Sequence, residues 1–355
     1  MSALSIYAGP VAARTLRQHG MNPDLFEVMV GASGGPKWFV LYGLDRVLFS
    51  DFLPKKSGTL ITLGSSAGAW RLSCLGTVNP LKAIDDLAFG YSGQRYSARP
   101  SEQEISNSMR RLLTSVLGSD GPKQLANNPR IHTHIVVDRC KGAGASRIRV
   151  LQSLHLGLSA ATNVLSRHSL SWFFQRILFT NDVAKSPWQH LTDIDTALVA
   201  LTEKNLLDVL IASGSIPFVL EGVREIEGAI SGLYWDGGIT DYHFDLPFCS
   251  PDRLVLYPHF SPRVVPGWFD KRLKWRKPDP KHFQNVVLLT PSEEFVAGLP
   301  GSKIPDRTDV HAYSEQERLL VWSTVLKESQ RLGDEFQQLV ATGEGLQRIR
   351  PLEFV

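Results

Sequence analysis

The sequence predicts an α/β protein built on a mostly parallel central sheet. Two strand-to-helix units near its start, and a set of short β-prone runs interspersed with helical patterns, carry that expectation. In the first unit the apolar run 26–30 ends in Gly31-Ala32-Ser33-Gly34-Gly35-Pro36. Trp38, Phe39, Leu41, Tyr42, Leu44, Val47 and Leu48 then recur at helical spacing. Pro36 suits the first turn of that helix, where an N–H has no intrahelical partner to lose. The second unit repeats the plan, with 59–63 as strand, Gly64-Ser65-Ser66-Ala67-Gly68 as a corner, and 70–75 as a helix that Gly76 and Pro80 can end. Farther on, 131–138, 147–156, 253–257 and 285–290 read as strands, and 165–179 and 204–212 as helices. Residues 315–340, apolar at 319, 322, 326, 336 and 339 or 340, read as a helical segment that packs back on the domain. The stretch 262–281, rich in proline, tryptophan and base, reads as the longest loop.

A chain of 355 residues can form two domains or one large α/β domain. The division expected is a catalytic α/β domain over 1–260. Residues 261–355 then supply the basic, aromatic loop and a helical segment on the same domain. Hydrophobic residues at 43% and charged residues at 21% exclude a disordered or collagen-like chain. A net charge of +3 is too small to point to nucleic acid. No apolar run reaches the roughly 18 residues of a membrane span, and residues 1–20 lack the order of a secretory signal. The expectation is a soluble, cytoplasmic protein able to touch a membrane peripherally. Cys74, Cys140 and Cys249 are far apart and form no C-x-x-C pair, so neither a disulfide framework nor a zinc knuckle is expected.

Gly64, Ser66 and Gly68 match G-x-S-x-G, the corner at which a serine hydroxyl stands clear of its own backbone. Gly31-Ala32-Ser33-Gly34-Gly35 matches it too, so Ser33 is a rival nucleophile. Acyl transfer also needs N–H donors aimed at the oxyanion, one just after the nucleophile and others from a separate glycine-rich loop. With Ser66 attacking, Ala67 follows the nucleophile and Gly34 and Gly35 form the loop. With Ser33 attacking, nothing glycine-rich precedes it and Pro36 removes a donor, which favours Ser66. The glycine-rich corners also fit plain tight turns or a phosphate cradle at a helix N-terminus. Asp236, in Leu233-Tyr234-Trp235-Asp236-Gly237-Gly238, is the candidate base.

Ser33-Gly34-Gly35-Pro36-Lys37, Gly64-Ser65-Ser66-Ala67-Gly68, Ala212-Ser213-Gly214-Ser215-Ile216-Pro217 and Asp236-Gly237-Gly238 together, in that order, resemble the patatin-like phospholipase family. The resemblance spans about residues 26–240. It implies a three-layer sandwich with helices flanking a mostly parallel sheet, nucleophile Ser66, base Asp236 without a histidine, and an oxyanion hole at Gly34 and Gly35. Lys37 takes the place of the family's basic residue, and Gly64, Gly68 and Gly237 shape the corners. Ser33 and Trp38 stand where the family often has glycines, and both bear on the acyl pocket. Trp38 reads as a core residue or as a narrowing of the mouth, the core reading being preferred. The expected activity is hydrolysis of fatty acyl esters of lipids, phospholipid or lysophospholipid first, with no cofactor or metal.

Three alternatives stay open: a Ser-Asp-His triad using His243, His259, His282 or His311, a silent lipid-binding module, and acyl transfer to another acceptor. His132 and His134, on one strand face, lack a third metal ligand nearby in sequence. Leu170, Phe173, Phe174, Ile177 and Leu178, with Trp172 and Phe179, fit a buried helix or, alternatively, an acyl-chain wall. Trp268, Lys274, Trp275 and Arg276 mark the basic, aromatic stretch suited to anionic lipid headgroups, with a solvated loop as the bland alternative.

Overall fold

Strands β1 (Leu4–Ala8), β2 (Phe26–Gly31), β3 (Leu60–Ser65), β4 (Ile131–Cys140), β5 (Phe174–Thr180) and β6 (Thr196–Ala200) come from the first 200 residues. The remainder supplies β7 (Val223–Arg224), β8 (Leu233–Asp236), β9 (Leu254–Pro258), β10 (Val286–Pro291) and β11 (Arg350–Pro351). The structure, a computed structural model, describes residues 2–353 apart from Ala98, Cys249 and Pro251. All these strands join one sheet in the order β11-β1-β10-β9-β2-β3-β4-β5-β6, and β8 pairs with both β4 and β7. From β10 to β4 every pairing is parallel, while β1, β5 and β8 each add an antiparallel neighbour. Every residue of β9 and β10 is buried, and so are four in a row at the ends of β2 and β3. Side chains alternate between faces along a strand, so uninterrupted burial means helices cover both faces. The fold is therefore a three-layer α/β sandwich.

Chain order steps from β2 to β3 to β4 on one side and from β9 to β10 on the other. That reversal opens a crevice at the carboxyl ends of β2, β3 and β9, the usual place for a ligand in such a sheet. The segment 261–355 contributes β10 and β11 to the same sheet and two consecutive helices, Glu315–Glu328 and Gln330–Thr342. Trp38 is in the core rather than at the mouth. Cys74 and Cys140 are buried free thiols, and Cys249 lies outside the described residues.

Two expected elements are reversed. Of residues 147–156, those from 149 on belong to a helix, Arg149–Leu165, and 165–179 resolve into a 3-10 turn, Arg167–Trp172, followed by strand β5. Phe174 and Ile177–Thr180 are buried between the flanking layers of the sheet, so the run shows no alternation and mimics a helical stripe. In the helix, apolar residues at 150, 154 and 156 mimic alternation. The spacing 151, 154, 158, 161 and 165 that continues it is helical. Phe174, Ile177, Leu178 and Phe179 are thus sheet core, and not an acyl-chain wall, while Trp172 is exposed.

Candidate active site

Strand β3 turns into the helix Ala67–Leu75 at Ser66, whose φ of 54° and ψ of −131° are strained for any L side chain. This turn lifts the hydroxyl off the backbone at a helix N-terminus, where the peptide dipoles favour negative charge. Gly68 lets the helix start press on β2: a Cβ there would lie 1.9 Å from the Gly31 carbonyl oxygen.

Asp236 reaches Ser66 through sheet pairing. Ser65, the last residue of β3, pairs with Val136 of β4, and Asp236 pairs with the next residue, Val137. Strand β8 thus occupies the slot beside β4 that β3 vacates, and the two carboxyl ends meet head on. The Ser66 hydroxyl donates to Asp236 Oδ2 at 2.8 Å, while Asp236 Oδ1 accepts the Gly238 N–H at 2.7 Å. One oxygen is anchored and the other faces the serine proton. Burial pushes the Asp236 carboxyl up to about 6, against the lowering effect of those hydrogen bonds. A Cβ on Gly237 would lie 2.2 Å from the Val136 carbonyl, which is why glycine follows the acid. Beyond it, Thr240 donates to the buried Asp138, and the buried Arg176 grips Asp241 with two nitrogens at 2.6 and 3.0 Å.

The Ala212–Pro217 motif braces this junction. Ser213 Oγ accepts the Ser66 N–H at 2.9 Å and donates to the Val136 carbonyl, and the Ser215 carbonyl accepts the Asp236 N–H. The Ser66 amide is therefore committed. Gly34 and Gly35 line a polar cavity with Ser66 and Asp236, and their N–H groups bond to no described residue. Ala67 lies instead on the wall of a second, apolar cavity. Ser33 Oγ is 2.6 Å from Ser65 Oγ, which donates to the Asp241 carbonyl, so Ser33 is tied into the scaffold, and it is Ser66 that bonds to Asp236. Lys37 pairs with Asp306 at 3.3 Å.

The two cavities meet at Ser66. The polar one, about 200 Å³, presents Lys37, Lys271, Arg307 and Asp306 together with Tyr242 and Trp268. The apolar one, about 400 Å³, is walled by Trp70, Tyr91, Met109, Val219, Leu220 and Trp322. Lys271 lies 3.8 Å from the Tyr242 ring centroid, and neither it nor Arg307 pairs with a carboxylate among the described residues. Burial, with Arg307 and Lys37 adding repulsion, pulls Lys271 down to about 7. Sequence reasoning placed Lys271 only among the basic residues suited to lipid headgroups, and it missed Arg307, which no motif marks.

The candidate histidines bond elsewhere. His243 Nδ1 accepts the Val265 N–H, His259 Nδ1 accepts that of Ser261, and His282 bonds Asp245. His311 is exposed at the edge of the apolar cavity. His134 bonds Ser186 and packs on the Trp188 ring. Of the aromatic and basic residues expected to meet lipid, Trp268 turns into the polar cavity. Arg276 donates to the Asn163 and Val164 carbonyls, while Lys274 and Trp275 are exposed. No helix among the described residues is long and apolar enough to cross a membrane.

Fold and site together define an α/β protein carrying a serine–aspartate pair at a strand-to-helix corner. Neither a family model nor a curated protein matches the sequence. Among solved structures it is similar to VipD from Legionella pneumophila, at 11% identity and a TM-score of 0.36, over 99% of this chain and 75% of that one. It is also similar to the human GIVD cytosolic phospholipase A2, at 10% identity and a TM-score of 0.39, over 95% of this chain and 62% of the other. At these values neither likeness assigns an activity.

Proposed function

We propose that the protein is a serine acyl hydrolase that cleaves fatty acyl esters of phospholipids through Ser66 and Asp236. The observation that carries this is the 2.8 Å bond from the Ser66 hydroxyl to Asp236 Oδ2 at the meeting point of an apolar and a cationic cavity. As Ser66 Oγ attacks the ester carbonyl, Asp236 Oδ2 takes its proton. The N–H groups of Gly34 and Gly35 receive the oxyanion, and the N-terminus of the helix Ala67–Leu75 adds favourable potential. Asp236 returns the proton to the leaving alkoxide. Water, deprotonated by the same carboxylate, then attacks the acyl-enzyme carbonyl, and as the Ser66–acyl bond breaks Asp236 returns the proton to Ser66 Oγ, releasing the free fatty acid. The apolar cavity takes the acyl chain, and Lys37, Lys271 and Arg307 face the phosphate of the leaving group.

A fluorophosphonate probe tests this, with short- and long-chain acyl esters assayed beside it. Ser66→Ala is expected to abolish turnover and labelling and Asp236→Asn to cut turnover by about 10² to 10⁴, while Ser33→Ala keeps both provided that it folds. Labelling that survives Ser66→Ala would sink the assignment.

A further inference from the structure

The helix Arg149–Leu165 is amphipathic in the wrong sense for a soluble domain. Its inward face is polar: His155, Ser159 and Asn163 are its buried residues, and Asn163 donates to the buried Asp270 at 2.7 Å. Its outward face is apolar, with Val150, Leu154, Leu158 and Leu165 exposed by 67%, 58%, 57% and 86%. Ile148 just before it, Trp172 in the turn that follows it, and Trp275 in a segment that Arg276 ties to its C-terminal end are exposed as well. Scattered exposed apolar residues need no explanation, but a continuous ridge does.

Charge chooses the occupant. From Arg139 to Asn181 the chain has six Lys or Arg and no Asp or Glu; Lys141, Arg149, Arg167 and Arg176 pair with carboxylates from elsewhere in the fold, so the base that fringes the ridge is the exposed Arg147 and the 272–277 segment. Arg147, Arg272, Lys274 and Lys277 are exposed, and Arg276 ties the 272–277 segment to the helix end by donating to the Asn163 and Val164 carbonyls. An apolar ridge fringed by base matches an anionic lipid surface: acyl chains take the leucines, the interface takes the tryptophans, and headgroups take the cations.

Position links the ridge to the cavity. At one end the Arg149 guanidinium lies 5.5 Å from the ring centroid of Phe218, next in chain to Pro217 of the cavity wall. At the other, Asn163 holds Asp270 in the turn that presents Trp268 and Lys271 to the same cavity. We infer that the helix Arg149–Leu165, with Trp275 and its basic neighbours, is the surface by which this protein docks on anionic membranes, setting the cavity against its substrate. The purpose rests on the lipid-ester reading above, whereas the docking itself does not require catalysis.

Vesicle co-sedimentation of the full chain carrying Ser66→Ala tests docking without turnover, using phosphatidylcholine vesicles with and without phosphatidylserine. Binding to the anionic vesicles is expected. Leu154→Glu with Leu158→Glu, both exposed and outside the catalytic machinery, should weaken it by about tenfold or more. In the Ser66 background the same pair should leave turnover of a water-soluble short-chain ester unchanged and lower turnover of vesicle phospholipid. Equal vesicle binding by the double variant and its parent overturns the inference. So does a parent that fails to bind and elutes as a dimer which the substitutions dissociate, because a second copy then covers the ridge. Docking without hydrolysis of any ester would leave the docking surface standing and defeat the hydrolase reading.

Discussion

Replacing Asp236 by asparagine separates what the carboxylate does for chemistry from what its burial costs the fold. Burial lifts its pKa from 3.8 to about 6 although two hydrogen bonds favour the charged form. The folded state therefore binds that proton more tightly than the unfolded chain. Its stabilising effect is complete below about pH 4 and is lost as pH rises through about 6. At neutral pH the ionised carboxylate is thus held at a cost of about two pKa units, on the order of 3 kcal/mol. Asparagine keeps the shape and both contacts: Oδ1 still accepts from Gly238 and Nδ2 donates to Ser66 Oγ. Asp236→Asn should accordingly be more stable than wild type at pH 8 by up to about 3 kcal/mol and indistinguishable from it near pH 4. With about 2.1 cal/mol/K of unfolding entropy per residue over 355 residues, that is roughly 4 °C in Tm. Turnover should fall by about 10² to 10⁴ because the base is gone. Melts of both proteins across pH 4–8, beside ester hydrolysis, measure both effects. A variant less stable than wild type at pH 8, or a difference independent of pH, would refute the assigned burial cost.

Lys271 sets a second limb of the pH profile. On a phosphorylated ester, kcat/KM should rise through about pH 6 as Asp236 ionises and fall through about 7 as Lys271 loses its proton; Lys271→Met should remove the fall and cost roughly tenfold, and a neutral ester should show only the rise. Ser66→Gly should abolish probe labelling yet stabilise the fold by about 1 kcal/mol through relief of the positive φ, whereas Ser66→Ala keeps the strain and gains nothing; equal Tm values for the two would count against strain at this corner. Arg71, in the helix that begins after Ser66, grips Asp45 with two nitrogens at 2.7 and 2.6 Å, and both are fully buried. Arg71→Met should cost about 3–5 kcal/mol in urea unfolding, and Arg71→Met with Asp45→Leu should recover most of it; no recovery would show that the arginine acts through packing alone.

What was legible in the sequence is what a few neighbouring residues decide. Glycines around Ser66 and after Asp236 mark places where backbone meets backbone, a requirement written into the local chain, and both corners lie where that pattern put them. The strands β2, β3, β4, β9 and β10 were legible too, because short apolar runs bounded by turn residues carry their own signal. Residues 174–179, read as helix, and 149–156, read as strand, were misread because burial on both faces erases alternation, and because an apolar face turned to solvent has the same spacing as one turned to a core.

Tertiary structure alone decided the rest. Ser66 and Asp236 are 170 residues apart, and they touch because β8 enters the slot beside β4 where β3 ends. Spacing along the chain contains no such register. Lys271 and Arg307 enter the cavity from the C-terminal third by the same means, since burial and approach arise between elements remote in sequence. The sequence determined by itself the turns and the residue types at the Ser66 and Asp236 corners, because backbone sterics act within a few residues. The sheet decided which of those residues meet, because pairing and packing act across the whole chain.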